Sequence, residues 1–301
     1  RREQHGDDGQ AMNETAHQGQ AGIERPSLYV VATPIGNLAD ITLRALDVFK
    51  RVDAIAAEDT RIASRLLKHH GITARLLALH EHNERGAAQK LVDLLAQGKS
   101  VALISDAGTP AISDPGALAV AAVRGAGYPV VPVPGPNAAI CALSAAGIAA
   151  PHFLFYGFLP QQASARKREL DALKFLPFLL VFYEAPHRVV ASVAAMAVVF
   201  GERRITIARE LTKLFETIHT CRLSEAEEWF AADANQLKGE FVLLVEGAPA
   251  AATADPAAAR HVLEVLMREL SLKQAVQLAV AITGARKNDV YELALGLDRE
   301  S

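Results

Sequence analysis

The chain has 301 residues, of which half are hydrophobic and 22% charged, and its formal net charge is −3. That length can bury the cores of two packed domains, and the composition excludes a chain disordered throughout. The charge excludes a global nucleic-acid signature, so any such binding must come from a local basic patch.

Cys141 and Cys221 lie in different segments and fit neither a disulfide framework nor a metal motif. They read as thiols of a reducing compartment, and no metal is expected. The longest apolar runs break well short of the roughly 18 residues a membrane helix needs. Residues 1–26 are polar, of mixed charge and without an apolar segment, which predicts a disordered extension rather than a secretory signal. A cytoplasmic protein without a membrane partner is the expectation.

Leu28 to Thr33 is an apolar, β-branched run and predicts a first strand, followed by a turn at Pro34–Asn37. Asp40 or Thr42 can cap a helix through Phe49, because either offers a side-chain oxygen to the open amides. Val52 to Ala57 predicts the second strand, with a helix to His70. Arg75 to Leu79 predicts the third, with a helix from about Glu84 to Gln97 stopped by Gly98. Val101 opens a fourth strand that breaks into Ser105, Asp106, Ala107, Gly108, Thr109 and Pro110, then a second polar turn at Ser113–Gly116, then an alanine-rich helix. Val130 to Val133 makes a fifth strand, ending in Pro134–Asn137 before a helix that closes at Gly147. Five β–α units in a row predict a largely parallel sheet with right-handed crossovers, forming a domain over 27–150.

The second half changes rhythm. Strands are predicted at Phe153–Gly157, Phe178–Tyr183, Arg204–Arg209, Phe215–Thr220 and Phe241–Glu246, with helices at Gln161–Lys174, after the Glu184–Arg188 strand end to about Phe200, and around Ser224–Ala234. Two strands without a helix between them predict a mixed sheet with a hairpin, in a second α/β domain over 151–247. Residues 248–256 read as a linker. Residues 257–301 carry a helical period and predict a helical appendage, with Ser271 and Gln274 spaced as a capping box and Gly284 before a last helix near Asn288–Leu297.

No Walker A, Gly-x-Ser-x-Gly or Gly-x-Gly-x-x-Gly sequence is present, which argues against the commonest nucleotide sites. Three strand ends are instead loaded with Gly, Pro and small polar residues: Thr33–Asn37, Asp106–Gly116 and Pro134–Asn137. In a parallel sheet they emerge on one edge and can share one ligand.

The ordered motifs TPIGNLADITLRAL, AEDTR, LISDAGTPAISDPG, PVPGPNA, FYGFLP, FYEAPHR, ARELTK and GEFVLLVEG resemble the tetrapyrrole-methylase-fold family of S-adenosylmethionine enzymes over about Leu28–Gly247. Within it they resemble the branch that methylates the ribose 2′-hydroxyl of a cytidine in the decoding region of small-subunit (16S) ribosomal RNA. The resemblance implies two α/β domains with the cofactor cleft between them and a small C-terminal helical appendage. It also implies a homodimer, and small-subunit ribosomal RNA or the 30S subunit as partner.

Carried onto this sequence, the donor site would draw on Pro34, Gly36, Ser105, Asp106, Gly108, Thr109, Pro110, Pro134, Gly135 and Asn137. Glycine lets backbone approach a ligand closely, and open amides at helix starts can take the donor's carboxylate. Asp106 can accept hydrogen bonds from the donor or favour its sulfonium charge. A ribose hydroxyl needs a positioned base, for which Glu58, Asp59, Glu184, His187 and Glu210 are the candidates. Each of these carboxylates lies near a basic residue in sequence, so an ion-pair network is the competing reading. Arg61, Arg166, Lys167, Arg168, Arg188, Arg209 and Lys213 are the candidate phosphate contacts, joined by Arg203, Arg204, Arg286 and Lys287. Phe158, Phe182 and Tyr183 are the candidates for stacking a base, although apolar core is the better reading of Phe182. Two other readings stand beside this one: a methylase of a tetrapyrrole or other small metabolite, and a non-catalytic RNA-binding ribosome-assembly factor.

Overall fold

A computed structural model describes residues 26–249 and 256–300 of the chain. The predicted N-terminal extension and most of the predicted linker lie outside those residues. The described residues divide into two compact units, residues 26–34 with 38–136, and residues 35–37 with 137–249 and 256–300.

The first unit is a five-stranded, wholly parallel sheet of β1 (Leu28–Val31), β2 (Ala54–Ala57), β3 (Leu76–Ala78), β4 (Val101–Ile104) and β5 (Val130–Val133). Its spatial order is β3-β2-β4-β1-β5. Strand period decides which side chains meet which helices. Val101 and Leu103 of β4 pack with α3 (Glu84–Ala96) and α4 (Ala117–Gly125). Ala102 and Ile104 pack on the other face with α1 (Leu43–Arg51) and α2 (Thr60–His69). Every residue of β2 and β4 is buried, which is why they read as unbroken apolar runs. Pro132 sits in β5 at the sheet edge, where a missing N–H costs no ladder bond.

Thr42, not Asp40, caps α1, its Oγ1 accepting from the Ala45 N–H at 3.1 Å. β2 starts two residues later than predicted because the Val52 N–H closes α1 on the Val48 carbonyl.

The second unit holds α5 (Ala138–Ala145) and a mixed sheet of β6 (Phe153–Phe158), β7 (Leu179–Glu184), β8 (Arg204–Arg209), β9 (Thr217–Arg222) and β10 (Phe241–Val245), in the order β6-β7-β10-β8-β9. Only β6 and β7 run parallel, and β8 and β9 form the predicted hairpin. β9 begins two residues later than predicted because Phe215 stays in the connection, its carbonyl accepting from Arg209 at 3.1 Å. The helices α6 (Ala163–Leu173), α7 (Val189–Phe200) and α8 (Ala226–Ala232) cover one sheet face, over Leu180, Phe182, Ile207 and Leu243.

α5 covers the other face. Its Ala139 and Ala142 pack with Val181, Val242 and Leu244, and Ile35 joins the same cluster. The division therefore falls at Pro136/Asn137, earlier than the expected Ala150, because α5 spends its apolar face on the second sheet.

Residues 256–300 form α9 (Pro256–Leu266), α10 (Leu272–Thr283) and α11 (Lys287–Glu300) around their own core of Leu263, Ala275, Val276, Ala279, Val290 and Ala294. Gly284, in the left-handed region, ends α10. The predicted capping box does not form: Ser271 precedes α10, but its hydroxyl donates to the Gln274 side chain at 2.8 Å and makes no cap bond. Among the described residues, no helix is long and apolar enough to cross a membrane.

Candidate functional site

In the first unit, the loop after β4 folds back on the exit of β1. Thr33 and Gly108 exchange both backbone hydrogen bonds, at 2.9 and 3.0 Å, as an isolated antiparallel bridge. Thr33 Oγ1 also donates to the Ser105 carbonyl at 3.2 Å. Gly108 has φ +77°, a conformation open to glycine and costly for most residues. Farther along, Ala111 (φ 65°) and Ser113 (φ 62°) are held in the left-handed region although neither is glycine. Such strain persists only where surroundings impose it, and it clusters at ligand-holding loops. Thr109 Oγ1 donates to the Pro136 carbonyl at 3.2 Å, tying this loop to the one after β5. At Gly135 an added Cβ would lie 3.0 Å from the Ala32 Cβ, so that loop passes close over β1. Pro34, Ser105, Asp106, Gly108, Thr109, Pro110, Pro134 and Gly135 are thus collected at the carboxyl edge of one sheet. Gly36 and Asn137 belong to the second unit.

A cavity of about 260 Å³ opens at this edge, lined by Thr33, Pro34, Leu38, Ile62, Ala63, Arg65, Leu66, Ile104, Ser105 and Asp106. Asp106 Oδ1 accepts the Asp59 N–H at 2.9 Å, so it has a structural task as well. Around it the field is acidic. Burial, then the charge of Asp106, raises Glu58 above the usual carboxylate range. Burial, then the charges of Glu58 and Asp106, raises Asp114 to about 6 against a hydrogen bond from Ser105. Crowded, partly buried carboxylates of this kind are relieved by a cation. A sulfonium centre is one, and Asp106 lines the cavity beside them, so these residues fit S-adenosylmethionine.

Several of the open amides at helix starts are taken by the protein's own side chains. Asp59 caps α2 through the Arg61 N–H at 2.8 Å, and Glu84 Oε1 accepts from Gly116 and Leu118 at the start of α4 at 2.8 and 2.9 Å. At the start of α5, Asn137 accepts from Ile140 and the Tyr183 hydroxyl accepts from Ala139, both at 3.2 Å. Asn137 is therefore a helix cap in this structure.

The candidate bases separate by environment. Asp59 is held at about 2, chiefly by the Arg61 side chain, which reaches its Oδ2 at 2.6 Å. Glu184 is buried with its acceptors filled: Ser192 Oγ donates to Oε2 at 2.6 Å, while the Ala185 N–H at 2.9 Å and Arg188 Nε at 3.2 Å reach Oε1. It is an anchor for Arg188, not a base. Glu210 is lowered: burial opposes this, but Lys213 Nζ at 2.7 Å and the Glu240 N–H outweigh it. His187 is exposed in the turn after β7. Glu58 alone among the five has its carboxyl shifted upward. Asp114 shares that property and was not among the predicted bases; it was hidden in what read as a plain Asp-Pro-Gly turn.

The predicted phosphate contacts separate too. Arg166 is buried and donates to the Gln161 carbonyl at 3.2 Å. Arg209 is buried and holds Lys238, Phe215 and Thr217. Arg188 is bonded to Glu184 and to the Leu159 carbonyl. Arg203 lies over the Phe200 ring at 4.9 Å and donates to the Lys174 carbonyl. These arginines hold the fold and are not presented to a polyanion. Lys213 is engaged by Glu210 and by Glu240 at 2.9 Å. Lys167 and Arg168 on α6 stay exposed, Lys167 pairing with Asp171 and Arg168 loosely with Glu169. Phe182 is fully buried core and cannot stack a base. Phe158 is half exposed beside Tyr183, their ring centroids 5.6 Å apart.

In the second unit, the Ala208–Lys213 segment is tightly fixed. Glu210 (φ 52°) and Thr212 (φ 66°) are both left-handed, and Thr212 Oγ1 accepts the Asn37 N–H at 3.1 Å. An added Cβ on Gly36 would lie 2.5 Å from Lys213 Cγ, so only glycine allows this approach.

Comparison with known proteins places these features. Residues 27–227 match the family model of tetrapyrrole (corrin/porphyrin) methylases, and residues 253–298 match the RsmI C-terminal HTH domain. The chain is 52% identical over 272 residues to the ribosomal RNA small subunit methyltransferase I of Pseudomonas aeruginosa, covering 89% of this chain and 96% of that one. It is 51% identical over 269 residues to the protein of the same name from Escherichia coli O157:H7, covering 89% and 94%. A solved uroporphyrin-III-C-methyltransferase from Thermus thermophilus aligns with a TM-score of 0.53 at 21% identity, over 74% of this chain and 94% of that one, which shows a shared fold. The chain belongs to the tetrapyrrole (corrin/porphyrin) methylase family, whose methyltransferases use S-adenosyl-L-methionine.

Proposed function

We propose that the chain methylates small-subunit ribosomal RNA, at the ribose 2′-hydroxyl of a cytidine in the decoding region. The observation that carries this reading is the identity of about half with two proteins named ribosomal RNA small subunit methyltransferase I, across nearly their whole length. The choice of a ribose hydroxyl and of a cytidine rests on the resemblance of the ordered motifs. A cytoplasmic homodimer acting on the 30S subunit belongs to the same reading.

S-adenosylmethionine supplies the transferable methyl group. Pro34, Ser105, Asp106, Gly108, Thr109, Pro110, Pro134 and Gly135 are the first-unit residues that would hold it. Asp106 and Asp114 set a negative field for its cationic centre, which favours binding of the charged donor over the neutral product. Glu58 is the proposed base. Its raised pKa brings it nearer to working pH, where a carboxylate takes a proton from a hydroxyl most effectively. The buried Glu184–Ser192–Arg188 network is a scaffold that fixes the turn carrying His187.

Incubation with donor labelled in its methyl group, offered unmodified small subunits or tetrapyrrole precursors, tests the reading. Label in base-resistant, nuclease-sensitive RNA is the expected result. Label in the tetrapyrrole, or donor binding without transfer, would replace it with the metabolite or the non-catalytic reading.

A further inference from the structure

We infer that α2 of the first unit carries a phosphate-binding track, made by Arg61, Arg65 and Lys68, along which the RNA substrate lies as it reaches the carboxyl edge of the sheet. The inference rests on the RNA reading above and adds where the strand is held.

Positions four and three residues apart share one face of a helix. α2 buries Ala63, Leu66 and Leu67 against the sheet, and Arg61, Ser64, Arg65 and Lys68 are all exposed on the opposite side. The Arg61 side chain is 87% exposed. From Arg61 to Lys68 the helix rises about 10 Å, enough to follow consecutive phosphates of one strand. Most charged helix faces mix signs, which is the mark of a solvated surface. The sequence of α2, TRIASRLLKH, contains no acid at all. Among the described residues Arg65 and Lys68 make no ion pair, in contrast to Lys167 and Lys213 of the second unit.

Position makes the stripe more than a charged face. Arg65 lines the 260 Å³ cavity together with Thr33, Pro34, Ser105 and Asp106, so the middle of the track opens on the proposed donor edge. Arg61 is steered by its bond to Asp59, the residue after Glu58. A strand bound along α2 therefore passes the proposed base. Arg166, Arg188, Arg203 and Arg209 of the second unit, which looked suited to RNA, are spent on backbone carbonyls, whereas Arg65 and Lys68 stay exposed beside the donor edge.

The test is the salt dependence of binding to an unmodified decoding-region fragment of 16S ribosomal RNA. It compares the full chain with Arg65→Ala/Lys68→Ala and with a charge-matched Arg85→Ala/Lys90→Ala pair on α3. Each phosphate contact to single-stranded RNA contributes roughly 0.7 to the slope of log affinity against log salt. The α2 variant is expected to lose about 1.4 from that slope, and the α3 variant to retain it. Lys68→Ala alone, which lies outside the cavity, should lose about half as much, and thermal melting checks that each variant folds. An unchanged slope in the α2 variants on a wild type that binds RNA overturns the track alone. So does an equal loss in the α3 variant, which would mean a general charge effect. A wild type without salt-dependent RNA binding overturns the RNA reading and the track with it.

Discussion

Single carboxylates decide the chemistry proposed here, and their environments make opposite demands. Asp114 is raised to about 6 by burial and by Glu58 and Asp106. In the unfolded chain it titrates near 4, so between those values the folded state holds the proton more tightly. Stability from this group is therefore present below about pH 4 and lost as pH rises through 6. Asp114→Asn should leave stability nearly unchanged at pH 4 and raise it at pH 8 by about 1–2 kcal/mol, a shift of this size being discounted for solvent screening. Urea unfolding at the two pH values checks this, and equal gains at both would show that ionisation is not the cause. Glu58→Gln keeps the shape and removes the base. It should lower kcat by about 10²–10⁴-fold while calorimetry finds donor affinity retained. Full activity in Glu58→Gln would move the role to Asp114.

At the scale of elements, close backbone approach organises both units. Gly239 has φ +93°, and a Cβ there would lie 2.3 Å from Glu210 Cγ. Gly239→Ala should combine left-handed strain with displacement of Glu210 from Lys213, and cost about 2–4 kcal/mol in denaturant unfolding. A loss under 0.5 kcal/mol would mean that the Glu210–Thr212 segment is less fixed than its contacts show.

Strands were the legible part of the sequence, because β2, β4, β7 and β10 are buried on both faces and leave unbroken apolar runs. The allegiance of α5 was not legible. An alanine-rich helix carries no label for the sheet it covers, and its place after β5 suggested the first. The donor loops could be read from their Gly, Pro and Asp content. The fate of the arginines could not, since Arg166 and Arg209 differ from Arg65 only in which carbonyls tertiary structure brings to them.

For the molecule as a whole, a net charge of −3 is compatible with an RNA substrate only if basic charge is concentrated locally, as it is on α2. The same family fold is shared with methylases of small tetrapyrroles, so fold alone does not choose the substrate. Relatives of about half identity over nearly full length weigh toward ribosomal RNA. The most direct measurement is mass spectrometry of nucleosides from small subunits that lacked the modification and were then incubated with the chain and S-adenosylmethionine. A new methyl group on the ribose of one decoding-region cytidine, absent when Glu58→Gln replaces the wild type, is the predicted result. A methyl group on a base, or none in RNA under conditions where the donor is bound, would contradict it.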